Sequence, residues 1–260
     1  MKSMHVKLTF VLAILVLVSL GCAPSVTPVP TAQGPIVLDP SRPLGQQVTV
    51  SAMNFQESGE APNYIITASI PTIIGIDDPR VKAFNDLTYS IFQLFSGELK
   101  NSLLEMPATP ITTGSSLDMQ FSLVSPPGDI ISIKYLITGY ADGASQIFHN
   151  IRTVSFNIEK GQVVAIEQLF LPGTSYLQVI SDNCRAELAA RNISFEGFAS
   201  GADPLVENYQ NWNITADGLM VTFNEEQVAS YSAGPQTVTV PYSALKDIID
   251  PQGPLGKFIQ

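Results

Sequence analysis

Few side chains in this 260-residue chain combine a reactive type with a useful spacing. Glu225-Glu226 could supply the two carboxylates of a glycosidase, one acting as acid and the other as base or nucleophile. Adjacent residues of an extended segment point to opposite faces, so these two cannot flank one glycosidic bond together. They read as a solvated acidic loop or the rim of a ligand site. A catalytic partner for Glu226 would have to be Asp203, Glu207 or Asp217. His149 is the only histidine after residue 5, so a metal site or a hydrolytic triad would rest on it alone. No HxH or HxxxH pattern and no cysteine accompanies it, which favours a structural or surface role. Cys184 could be a thiol nucleophile, but it falls in the apolar stripe of a predicted helix, where free cysteine acts as a small hydrophobe. Asp77-Asp78 ahead of Pro79 reads as a helix cap rather than a metal site. No catalytic residue, metal or cofactor is expected.

What remains is recognition. Trp212, Tyr209, Tyr231 and Tyr242 lie among polar loop residues, a composition that stacks on sugars or anchors a protein partner. Tyr242 reads better as a core residue of the last hairpin and Trp212 serves equally well as core or ligand residue, whereas Tyr231 is the aromatic expected to be exposed. The expected ligand-binding set is Glu225, Glu226, Tyr231 and Trp212.

The elements that must position this set begin with Asp217 to Leu245. A turn at Asp217-Gly218 leads to a strand with Leu219, Val221 and Phe223 on one face. An acidic loop follows, then a second strand carrying Val238, Val240 and Tyr242. Gly234-Pro235 should return the chain tightly into that strand. Earlier strands are expected over Gln47–Phe55, Asn63–Ile70, Ser116–Val124 (Leu117, Met119, Phe121 and Leu123 inward) and Ile130–Tyr140. A hairpin is expected over Ile151–Ile166, with Ile130–Tyr140 as the central strand. A helix should start at Asp78-Pro79 and bury Val81, Phe84, Leu87, Ile91 and Leu94. A second, Ser175 to Arg191, should bury Leu177, Ile180, Cys184 and Leu188. Asp203-Pro204 should open a short third helix, and Ser243 to Ile249 one or two further turns. Strands interrupted by two main amphipathic helices predict an α+β fold with an antiparallel sheet.

At the start, Lys2 and Lys7 precede an apolar run, Leu8 to Leu20, that is short for a membrane span and has signal-peptide proportions. Ser19-Leu20-Gly21-Cys22 resembles the bacterial lipobox, which makes residues 1–21 a lipoprotein signal peptide and Cys22 the lipidated N-terminus. An ordinary signal peptide or an uncleaved anchor would export the domain equally. Residues 22–45 are rich in Pro and Thr and form a tether. Loss of residues 1–21 removes Lys2 and Lys7 and no acid, leaving 11 basic against 23 acidic side chains, a charge of −12. Nucleic acid is a poor partner for that balance, and a cationic protein or neutral glycan a better one. With Cys22 lipidated, Cys184 has no disulfide partner.

The stretch FNEEQVASYSAGPQTVTVPY, residues 223–242, resembles the closing motif of the extracellular domain of RsiV-type anti-sigma factors. The same domain precedes the catalytic domain of PdaC-type polysaccharide deacetylases. In that family of largely unknown function the central strand is followed by Gly-Ala-His, Phe-Asp-Leu, a turn and a leucine-rich phrase. Here stand Gly143-Ala144-Ser145, Phe156-Asn157-Ile158, Gly161 and Glu167-Gln168-Leu169-Phe170, with Ser145 where histidine is usual. The resemblance covers about Ser116 to Leu245 and implies an RsiV-type domain over 116–250. Ile70 to Asn85 resembles the companion region that precedes it, over 46–115. The resemblance further implies an extracytoplasmic, lipid-anchored binding protein whose partner is a lysozyme-like cationic protein. A peptidoglycan-binding module is the alternative, and a wall hydrolase using paired carboxylates the second. Neither the deacetylase domain nor a signalling helix is present to carry those activities over.

Overall fold

The computed structural model describes residues 36–105, 114–125, 128–191 and 193–259. The expected signal peptide, Cys22 and much of the tether lie outside the described residues. Among the residues that are described, Leu44 is buried, at the start of a 3-10 turn.

A hairpin opens the fold. β1 (Ser51–Glu60) pairs antiparallel with β2 (Asn63–Thr72). β1 begins four residues later than the sequence suggests, because a turn at residues 61–62 fixes the register and draws pairing out to Glu60↔Asn63. α1 (Pro79–Glu105) then crosses over to β3 (Ser115–Leu123), which pairs parallel to β2. This one parallel pair departs from the expected antiparallel sheet. A helix of 27 residues carries the chain back to the end of the sheet where it began, as a parallel crossover requires. β4 (Ile130–Tyr140), β5 (Phe148–Asn157) and β6 (Gln162–Val163) follow antiparallel, completing six strands in sequence order.

α1 starts as predicted: the Asp78 carboxylate accepts the Arg80 backbone N–H at 2.8 Å and is also held by the Arg80 guanidinium. Its buried stripe runs through Val81, Phe84, Thr88, Ile91 and Phe92, not through Leu94, which is 54% exposed. At about 100° per residue, Leu94 lies some 120° round from the middle of that stripe, and Phe92 only about 40°. The helix packs against one face of the sheet, where Ile66, Ile70, Met119, Ile133, Tyr135 and Ile137 meet it. β3 outruns this cover, so Phe121 is half-buried and Leu123 exposed, against expectation.

A second sheet, β7 (Trp212–Ile214), β8 (Gly218–Phe223) and β9 (Gln236–Pro241), packs by β7 onto the other face of β4 and β5. α2 (Tyr176–Ala189) packs against β9. Ile180, Cys184 and Leu188 share one core with Leu219, Val221, Phe223, Val238 and Val240. Each alternation read from the sequence of this hairpin is present. Tyr242 points inward as expected, although it opens a last helical turn, α3 (Tyr242–Leu245), rather than ending the strand. The helix expected from Asp203-Pro204 is instead a single 3-10 turn, Val206–Tyr209. The Asp203 carboxylate is engaged by Arg185 at 2.7 Å and is not spent on capping.

Between the sheets the packing is polar. Ser132 Oγ accepts from Asn213 Nδ2 (2.9 Å) and from the Ile214 N–H (3.1 Å), so its own proton goes to Ser155 Oγ at 2.8 Å. The Trp212 N–H donates to Thr153 Oγ1, and Lys134 Nζ to Thr237 Oγ1. Burial holds the Lys134 ammonium below its ordinary pKa.

Candidate functional site

The loop between β8 and β9, residues 224–235, is pinned at three places. The Asn224 carbonyl accepts the Gln227 N–H, closing a turn whose third residue, Glu226, sits at φ +60°. The Gln227 side chain accepts the Asn224 N–H and donates to the carbonyls of Gly201 and Asn208, each at 3.0 Å. A Cβ on Gly201 would sit 1.8 Å from the Gln227 carbonyl oxygen, so only glycine allows this approach. Val228 and Ala229 are buried beneath. Residues Tyr231–Ala233 form a 3-10 turn, and Gly234, at φ +64°, returns the chain into β9 as Gly234-Pro235 predicts.

The loop also closes the outer edge of β5. β6 pairs only with Phe156 and Asn157, which leaves the outward backbone groups of the rest of β5 without a strand partner among the described residues. Asn224 Oδ1 accepts the Ile151 N–H at 2.7 Å, and Glu225 Oε2 accepts the His149 N–H at 3.2 Å. Glu225 Oε1 meets His149 Nδ1 at 3.0 Å, and the Glu225 side chain is 10% exposed. Buried backbone donors need a partner, and here an amide and a carboxylate replace a neighbouring strand. This corrects the expected pair of solvated acids: Glu225 is turned inward and only Glu226 is exposed. His149 is structural, as expected, and has a partner that its surrounding sequence does not reveal.

Tyr231 is half-buried and ties the loop to the segment after β4, its hydroxyl donating to the Ile147 carbonyl at 2.7 Å. Ile147 and Phe148 next to that bond are exposed, and the Phe148 ring covers Gly139 across the β4–β5 pair. Tyr231, Ile147 and Phe148 therefore lie in one neighbourhood, with Glu226 on the same clamped loop. Trp212 does not join them. It is 7% exposed, part of the hairpin core, and borders a separate cavity beside β5.

The remaining candidates are structural. Cys184 is fully buried, and burial pushes its thiol up to about 12, which suppresses the thiolate a nucleophile needs. Tyr209 and Tyr242 donate to the carbonyls of Ala202 and Thr215, and burial raises both phenols. Among the described residues, no three His, Cys, Asp or Glu side chains are grouped to hold a metal ion. The roles of Asn224 and Gln227, and the pairing of His149 with Glu225, are not legible in the sequence. The only sequence signal is the proximity of Asn224 and Gln227 to Glu225.

Residues 167–243, which run from just ahead of α2 through the clamped loop to the start of α3, match the family model described as protein of unknown function, DUF3298. No curated protein matches the chain. Among solved structures, a member of the DUF3298 family from Bacteroides fragilis superposes with a TM-score of 0.59 at 9% identity, over 83% of this chain and 98% of that one. A DUF3298 family protein from Pseudomonas aeruginosa PAO1 gives 0.59 at 10% identity, over 78% and 95%. At such identities the likeness is one of fold, the α+β architecture that both structures share.

Proposed function

We propose that this protein is a non-catalytic, lipid-anchored envelope protein that binds a lysozyme-like cationic protein. The observation that carries the reading is the loop clamped to β5. It holds the exposed carboxylate of Glu226 and the ring of Tyr231 on a rigid support, with exposed Ile147 and Phe148 beside the ring. Binding residues gather on loops positioned by a scaffold. Acids steer a basic partner while aromatic and aliphatic side chains anchor it. A body with 11 basic and 23 acidic side chains adds long-range attraction for the same partner. The turning-in of Glu225 speaks against the adjacent pair serving together as the two carboxylates of a hydrolase.

The glycan reading is favoured by a different surface. Asn54, Gln56, Thr67, Ser69 and Gln120 line an open groove of about 290 Å³ across β1, β2 and β3, a row of amides and hydroxyls suited to sugar hydroxyls. Binding of the purified protein to a panel of lysozymes and to soluble peptidoglycan fragments separates the two. The proposal expects lysozyme capture without fragment binding, and fragment binding alone would replace it with the glycan reading.

A further inference from the structure

Between β6 and the clamped loop the edge of β5 stays open. The Ser155 carbonyl accepts the Val164 N–H at one end, and the Ile151 N–H is taken by Asn224 at the other. Thr153, in the same outward phase, meets no backbone partner there among the described residues. The window runs from Ile151 to Ser155, roughly 13 Å of strand. Beside it lies a cavity of about 410 Å³ that reaches round the edge, from Leu87 and Ile91 of α1 on one side to Trp212 on the other. Arg152 also lines it and has no ion pair among the described residues, and no carboxylate lines the cavity.

We propose that this cavity binds the C-terminal residue of a peptide ending in an aliphatic side chain. A window closed at both ends has no room for a long added strand, but it accepts a chain end of three or four residues. The outward N–H and C=O groups of Thr153 pair with the peptide backbone, as in strand addition. The aliphatic side chain enters on the α1 side against Leu87 and Ile91, while the peptide backbone passes beside Trp212 and the terminal carboxylate meets the guanidinium of Arg152. The site is separate from the Glu226–Tyr231 loop and does not depend on the function proposed for it.

Trp212 is the only tryptophan in the chain, so its fluorescence reports occupancy directly. The full-length protein in detergent is titrated with an acetylated tetrapeptide ending in leucine, as the free acid and as the C-terminal amide. The free acid should change the Trp212 emission saturably and bind about tenfold more tightly than the amide. Arg152→Gln, an exposed change that leaves folding intact, should remove that preference while leaving amide binding unchanged. Glu226→Lys should alter neither. No saturable change with the free acid, equal affinity for acid and amide, or a preference that survives Arg152→Gln would each overturn the site. Free leucine binding as tightly as the tetrapeptide would overturn the peptide assignment.

Discussion

At Glu225 and Glu226 two neighbouring carboxylates do different work. Glu225 is held between the backbone and ring of His149, and Glu226 projects from a left-handed turn position. Replacing Glu225 by Ala leaves a half-buried N–H and a ring nitrogen without their acceptor, and should cost about 1–3 kcal/mol in urea unfolding. Glu226→Ala should stay within about 0.5 kcal/mol. Equal effects of the two would contradict the clamp. The sequence shows that adjacent side chains diverge but not which one turns inward. That depends on His149, 76 positions away, and is decided only when the loop reaches the edge of β5. Trp212 was ambiguous for a related reason: an aromatic residue at the start of a short strand is buried or exposed according to what packs over it.

At the scale of elements, local pattern was most informative where one face meets one core. β4 and the β8–β9 hairpin were legible almost to the residue, because strict alternation leaves a single register that buries the apolar set. The parallel β2–β3 pair was not, since nothing local distinguishes a helix that returns its chain antiparallel from one that crosses over. The start of α1 was legible from Asp78-Pro79, and it carries a pH dependence. Hydrogen bonding to the Arg80 side chain, against an opposing desolvation, holds the Asp78 carboxyl below its ordinary 3.8. A lowered folded pKa means that the stabilisation is fully present above 3.8 and is lost as pH falls through the lower folded value. The melting temperature, followed from about pH 6 down to about pH 2, should therefore fall less in Asp78→Asn than in the unaltered protein. Parallel declines would remove Asp78 from the account.

For the whole molecule, two sheets meet through Ser132, Ser155, Asn213, Thr153 and Lys134, while apolar cores lie outside them under α1 and α2. That division explains why β5, between β4 and a two-residue β6, needs the loop as a substitute neighbour. It also explains why a rigid loop stands at this edge. The proposed role of this loop is capture of a cationic protein, with Glu226 steering and Tyr231 anchoring. The most direct measurement is the association and dissociation kinetics of hen-type lysozyme on the immobilised protein at low and high salt, with Glu226→Lys and Tyr231→Ala beside the unaltered chain. The association rate should fall as salt rises and fall again, by about threefold or more, in Glu226→Lys, with a faster dissociation in Tyr231→Ala. Binding that ignores salt and both substitutions would contradict it.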